Sequence, residues 1–195
     1  MPAHTVHLAR HLRTAHSEPA WLDADAHART LADADDVPLA PDAAPDATLV
    51  ELASRSDLLL SSTLRRGLQT VARIEHALAA PGPATQAWPE LREARLPPLR
   101  VRGMRLPRGA WDVLARGAWF LGRSAGVESL TAARLRAARV VDRLEGAFVS
   151  SGGTLTVVGH GCMNVLIARE LSRRGFRGPL VPSLAHGAVT RYQRG

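Results

Sequence analysis

Apolar and polar positions alternate from Thr5 to Ala9, which predicts a strand, and the run stops at two polar side chains, Arg10 and His11. A continuous apolar run, DLLLSS from Asp57 to Ser62, predicts a strand buried on both faces. TLTVVGH, Thr154 to His160, predicts a third and follows the turn signal SSGG. Between these runs the apolar period lengthens to that of a helix. Helices are predicted over Ala44 to Ser56, Ser62 to Ala80, Glu128 to Ser150 and Cys162 to Gly175, with Gly175 as a C-cap. In the third, Leu130, Leu135, Ala138, Val141, Leu144 and Phe148 form the expected core stripe, and Trp111, Trp119 and Phe120 at helical spacing are expected in the core.

Two stretches break the pattern. Residues 18–45, acidic and rich in alanine, read as an excursion over the surface; residues 81–109, with six prolines, read as a long functional loop or lid. Strands alternating with helices predict an α/β layer architecture with a mostly parallel sheet. The length of 195 residues fits one domain, 1–195, carrying those two irregular insertions.

Charge adds an asymmetry. The net formal charge is +7, yet Glu18 to Asp46 holds eight acids and one arginine, so about +14 falls on the rest. All basic residues are arginines, the side chain best suited to gripping phosphate through paired hydrogen bonds. A nucleic-acid partner is disfavoured: Arg92, Arg95, Arg100, Arg102, Arg105 and Arg108 have no aromatic among them for bases to stack on. The single cysteine, Cys162, excludes an internal disulfide and reads mostly as a small buried hydrophobe, with a reactive thiol at a helix start as the alternative. His4, His7, His16 and His27 show no ligand spacing, so no metal site is expected. With neither a signal-peptide core nor an apolar run of membrane length, the expectation is a cytoplasmic protein with no membrane partner.

In a parallel sheet, ligands collect beyond the carboxyl ends of the strands. That rule brings Arg10, His11, Ser61, Ser62 and His160 toward one crevice. Two imidazoles, arginines and two helix starts suit a tetrahedral dianion, and an imidazole is able to attack phosphorus. A carboxyl group to protonate the leaving oxygen is offered by Glu90 or Glu93, and the spacing does not choose between them.

These residues resemble the motifs of the histidine phosphatase superfamily, the phosphoglycerate mutase-like proteins. Arg10-His11-Leu12-Arg13-Thr14 resembles the family's Arg-His-Gly-x-Thr/Ser. Ser62-Thr63-Leu64-Arg65-Arg66-Gly67-Leu68-Gln69-Thr70 resembles Ser-x-Leu-x-Arg-Ala-x-x-Thr, and Leu91-Arg92-Glu93 the Leu-x-Glu segment. Gly126-Val127-Glu128-Ser129 is similar to a Gly-Glu-Ser helix start with one residue inserted, and Val157-Val158-Gly159-His160-Gly161 matches Val-x-x-His-Gly. The motifs run in family order over most of the chain.

The resemblance implies a three-layer α/β/α sandwich and a metal-independent phosphatase without cofactor, acting on a small phosphomonoester. It implies His11 as nucleophile, Glu93 as acid, and Arg10, Thr14, Arg66, His160 and Gly161 around the phosphoryl group. Leu12 in place of glycine, Gly67 in place of alanine and Ser17 where many members have asparagine depart from the pattern. The alternatives are a non-catalytic phosphate-binding module with a distorted His11 loop, and, less favoured for a chain without longer insertions, a phosphoglycerate-type mutase. A monomer and a homodimer are both open.

Overall fold

A computed structural model describes residues 4–15, 21–150 and 152–195; His16 and Ser17 lie outside them. The elements in chain order are β1 (His4–Arg10), β2 (Trp21–Leu22), α1 (Ala24–Asp33), α2 (Ala47–Ser54), β3 (Leu58–Ser62), α3 (Arg65–Ala77) and β4 (Ala84–Trp88). A 3-10 turn (Pro89–Leu91) follows, then β5 (Leu106–Pro107), α4 (Arg108–Phe120), α5 (Leu130–Ser150), β6 (Thr154–Gly159), α6 (Gly161–Arg173) and β7 (Val189–Arg194). Five strands form one sheet in the order β4-β3-β6-β1-β7, all parallel except β7, which runs antiparallel to β1.

Side-chain alternation along the strands produces the layers. Val6, Leu8, Leu58, Leu60, Leu155 and Val157 pack on one face with α5 and α6; Ala9, Leu59 and Val158 pack on the other with Leu49 and Ala53 of α2 and Val71 and Ile74 of α3. This is the expected α/β/α sandwich. Its hydrophobic faces are continuous, each fully buried Leu or Val contributing about 1.5–3 kcal/mol.

Helix ends follow their local chemistry. Asp23 and Asp46 accept the N–H groups of Ala26 and Leu49 and so cap α1 and α2. After α6, Gly175 takes a positive φ of 84°, and Phe176 and Gly175 donate back to Leu171 O and Ser172 O, closing the helix as predicted.

Several expectations need correction. The 18–45 stretch is not irregular throughout: it contains α1, whose His27 and Ala24 are buried. The 81–109 stretch supplies β4, an edge strand of the main sheet, and β5, which pairs with β2. Leu22, Leu99, Trp111 and Ala115 join these two stretches in a small third core. On α5 the buried stripe is Leu130, Ala133, Ala137, Val140, Val141, Leu144 and Phe148, while Leu135 points outward. Trp111 and Trp119 are buried but Phe120 is exposed. Among the described residues no helix is long and apolar enough to cross a membrane.

Candidate active site

Register assembles the site. Arg10 lies opposite Gly159 across β1 and β6, and Ser61 opposite Val158 across β3 and β6. The next residue on each strand, His11, His160 and Ser62, therefore emerges at one end of the sheet. The His11 and His160 ring centroids are 5.0 Å apart. Above them opens a cleft of about 510 Å³ lined by Arg10, His11, Thr14, Arg66 and Glu93, among others.

His11 has a defined tautomer. Its Nδ1 lies 2.7 Å from Leu12 O. A carbonyl only accepts, so Nδ1 carries the proton and Nε2 keeps its lone pair. Burial, with Arg66, His186 and Arg10 adding to it, lowers the His11 pKa to about 3. The ring is neutral at neutral pH.

The loop that holds His11 tolerates Leu12. Its N–H donates to Thr70 Oγ1 at 3.1 Å, and that hydroxyl donates in turn to Arg66 O, tying the loop to α3. Leu12 turns its side chain into the core beside Ala9 and Leu39, and no positive φ is required there. Room comes from Gly187, where an added Cβ would stand 3.2 Å from Leu12 Cδ2.

Arg66 projects from the first turn of α3 and is buried. Its Nε donates to His160 Nδ1 at 3.3 Å and its NH1 to Ala34 O. His160 must then be protonated on Nε2, which lies 2.6 Å from Ser62 Oγ. Burial, then Arg66 and His11, push its pKa well below 6.5. Fully buried, His160 stands behind Arg66 and not on the cleft wall, contrary to the expected direct clamp. Burial also lowers the pKa of Arg10; its NH1 donates to Leu184 O, and its buried Nε has no hydrogen-bond partner among the described residues.

The two candidate acids separate. Glu90 faces Arg143 at 3.3 Å, away from the cleft. Glu93 lines the cleft and accepts the N–H groups of Ala94 (3.0 Å), Cys162 (3.2 Å) and Met163 (3.0 Å). The N-terminus of α6 is thus capped by Glu93, so the anion site expected at Gly161 is filled from within the chain. A Cβ on Gly161 would meet Glu93 Oε2 at 3.7 Å and Arg10 Cζ at 3.9 Å, ordinary contacts. Thr14 is buried on the cleft wall in a bridge to Leu39.

Sequence reasoning missed part of the wall. His186 stands 5.0 Å from His11 ring to ring, with Nδ1 3.2 Å from His11 O. Its one signal is that His186-Gly187 repeats the dipeptide His160-Gly161. Arg108, Asp112 and Arg116, four residues apart on α4, also line the cleft. Asp112 accepts from the buried His27 Nε2 at 3.0 Å, and that bond and Arg108 outweigh burial to lower its pKa. Cys162 is a buried thiol, its pKa raised to about 11 by burial and by Glu93. This removes the reactive-thiol alternative. Four of the loop arginines are engaged by the chain itself: Arg92 with Thr63, Arg95 with Asp35, Arg105 with Trp21 O and Arg108 with Asp112.

Solved structures share this fold. A phosphoglycerate mutase from Bacillus anthracis superposes with a TM-score of 0.66 at 15% identity over 98% of this chain and 88% of its own. A mycobacterial glucosyl-3-phosphoglycerate phosphatase gives 0.59 at 18% identity, covering 96% and 89%. A putative alpha-ribazole-5'-P phosphatase from Escherichia coli gives 0.54 at 20%, covering 96% and 89%. Comparison with curated proteins gave no match. The model of the histidine phosphatase superfamily (branch 1) matches residues 6–194, nearly the whole length, and the chain belongs to that superfamily.

Proposed function

We propose that the protein is a phosphatase that hydrolyses a phosphomonoester through a covalent phosphohistidine on His11. The observation that carries this reading is the His11 tautomer: a neutral, desolvated imidazole with its proton fixed on Nδ1 leaves Nε2 as nucleophile. Phosphatases among the structural neighbours support it.

In this reading Arg10 and Arg66 hold the phosphoryl oxygens and stabilise the charge that spreads over them in the transition state. His160 acts through Arg66 by fixing the guanidinium with its Nδ1 lone pair. Nε2 of His11 forms a bond to phosphorus as the ester P–O bond breaks, and Glu93, protonated by the incoming phosphomonoester monoanion, passes that proton to the departing oxygen. Water then attacks phosphorus and returns a proton to Glu93. The P–N bond breaks, and phosphate and His11 are released. The accommodated Leu12 favours this over the non-catalytic module.

The test follows phosphate release from phenyl phosphate, with chelator present, for the wild type, His11→Ala and Glu93→Gln. Turnover is expected in the wild type and lost in His11→Ala, with Glu93→Gln slower by about 10²- to 10⁴-fold. A His11→Ala protein as active as the wild type would end the proposal.

A further inference from the structure

The cleft is larger than a phosphoryl group needs. Its volume of about 510 Å³ lies in the range of sites that enclose a whole small molecule. Beyond His11 and Arg66, one wall is formed by the stripe Arg108, Asp112 and Arg116 on α4, and apolar side chains of Leu31, Val37 and Leu96 also line the space. The outer cleft therefore holds three guanidinium groups, those of Arg95, Arg108 and Arg116.

Their charges are met differently. Arg95 pairs with Asp35, and Arg108 stands 3.8 Å from Asp112. Asp112 is itself oriented by His27, which keeps its Oδ1 engaged. Arg116 has one hydrogen bond among the described residues, from its Nε to Cys162 Sγ at 3.0 Å, and no ion pair. A protonated thiol is a weak acceptor without charge. The two terminal nitrogens of Arg116 are thus left to the cleft. Arg10 lies close enough for the two charges to repel, and its buried Nε also lacks a partner among the described residues.

The carboxylates of Glu93 and Asp112 favour the Arg116 charge from a distance, but among the described residues neither takes a hydrogen bond from it, so its terminal nitrogens stay open to a charge-assisted bond from a ligand. We infer that Arg116 is the specificity residue of the cleft and receives a second anionic group, a carboxylate or phosphate, carried by the leaving group of the phosphomonoester. This rests on the phosphatase reading above. Arg10 and Arg66 hold the phosphoryl group that reacts, and Arg116 binds the far end of the molecule. A neutral leaving group leaves Arg116 unmet.

The test compares kcat/KM for phenyl phosphate, meta-carboxyphenyl phosphate and meta-phenylene bisphosphate in the wild type, Arg116→Gln and Arg108→Gln. Wild type is expected to favour an anionic substrate over phenyl phosphate by about 10- to 100-fold, the range of a charge-assisted hydrogen bond. The preferred member of the anionic pair distinguishes carboxylate from phosphate. In Arg116→Gln the preference falls toward unity; in Arg108→Gln, whose arginine already faces Asp112, it persists. Equal rates on all three substrates in the wild type, or equal loss of preference in both variants, would refute the site in favour of a general positive field.

Binding of benzylphosphonate and its meta-carboxy derivative by calorimetry separates this inference from the phosphatase reading. Tighter, Arg116-dependent binding of the carboxylated compound without any turnover supports the anion site and removes the phosphatase. Turnover with no difference between the two compounds does the reverse.

Discussion

Two substituted motif positions show how single residues set the site. Gly67 stands where the family pattern has alanine, and a Cβ built there would come 2.5 Å from Ser62 Oγ and 3.1 Å from Ser62 O. Ser62 Oγ is the group that holds His160 Nε2. Gly67→Ala is therefore expected to displace that hydroxyl, loosen His160 and through it Arg66, and cost about 1–3 kcal/mol by overpacking. Chemical denaturation reads the stability, and kcat falling with little change in KM reads the misplaced arginine; an unchanged Tm and kcat would show that the contact relaxes freely. Leu12 is the opposite case. Restoring the family's residue with Leu12→Gly removes a side chain packed beside Ala9 and Leu39 and frees the backbone. The expected cost is about 2–5 kcal/mol, measured by denaturant titration, with no gain in turnover. The two departures were visible in the sequence. What accommodates Leu12 was not, because Gly187 reaches it only across the fold.

At the level of elements, the site depends on α5 although no α5 side chain lines the cleft. Glu128, just before α5, grips Arg136 through both carboxylate oxygens, and Arg136 NH1 donates to Glu90 O at 2.6 Å and Arg92 O at 2.7 Å. These bonds fix the segment that ends in Glu93. Arg136→Met, which keeps the stem and removes the fork, is expected to cost about 1.5–3 kcal/mol and lower kcat, most steeply for poor leaving groups that need a proton. Measuring rates across leaving groups of different pKa checks this; a uniform drop would assign Arg136 to stability alone. The buried elements β1, β3, β6 and α6 were legible because β1 alternates, β3 and β6 carry compact apolar runs and most of α6 is apolar. The unread elements had weak signals for physical reasons. β4 is an edge strand with four exposed residues, held by pairing to β3, and β7 is half-buried and arginine-rich. α1 buries alanine and histidine in an acidic stretch, and His27 gains its partner from α4, 85 residues away. Periodicity cannot report such a pair.

Over the whole molecule, the acidic run is the electrostatic partner of the basic remainder. Asp35 meets Arg95, Asp36 meets Arg65 and Asp42 meets Arg13 around the cleft side of the protein. Most of these pairs are exposed and each contributes little. Acid sensitivity comes instead from the buried imidazoles. His7, His11 and His160 all have pKa values lowered first by burial. Unfolded, each binds a proton near pH 6.5, while the folded rings resist protonation, His11 down to about pH 3. Between those values the unfolded state holds more protons, so stability rises with pH and is lost as pH falls below about 6.5. Arginine pairing holds the Glu145 and Glu170 carboxyls below their usual range, which adds a loss at lower pH still. Denaturant titration from pH 7 to pH 4.5 is expected to show a fall of about 1.4 kcal/mol per pH unit for each histidine still neutral in the fold. His11→Ala should flatten that slope by about one proton, whatever it does to activity. A slope equal to that of the wild type would mean that His11 is protonated in the folded protein, and with that the lone pair on Nε2 would be gone.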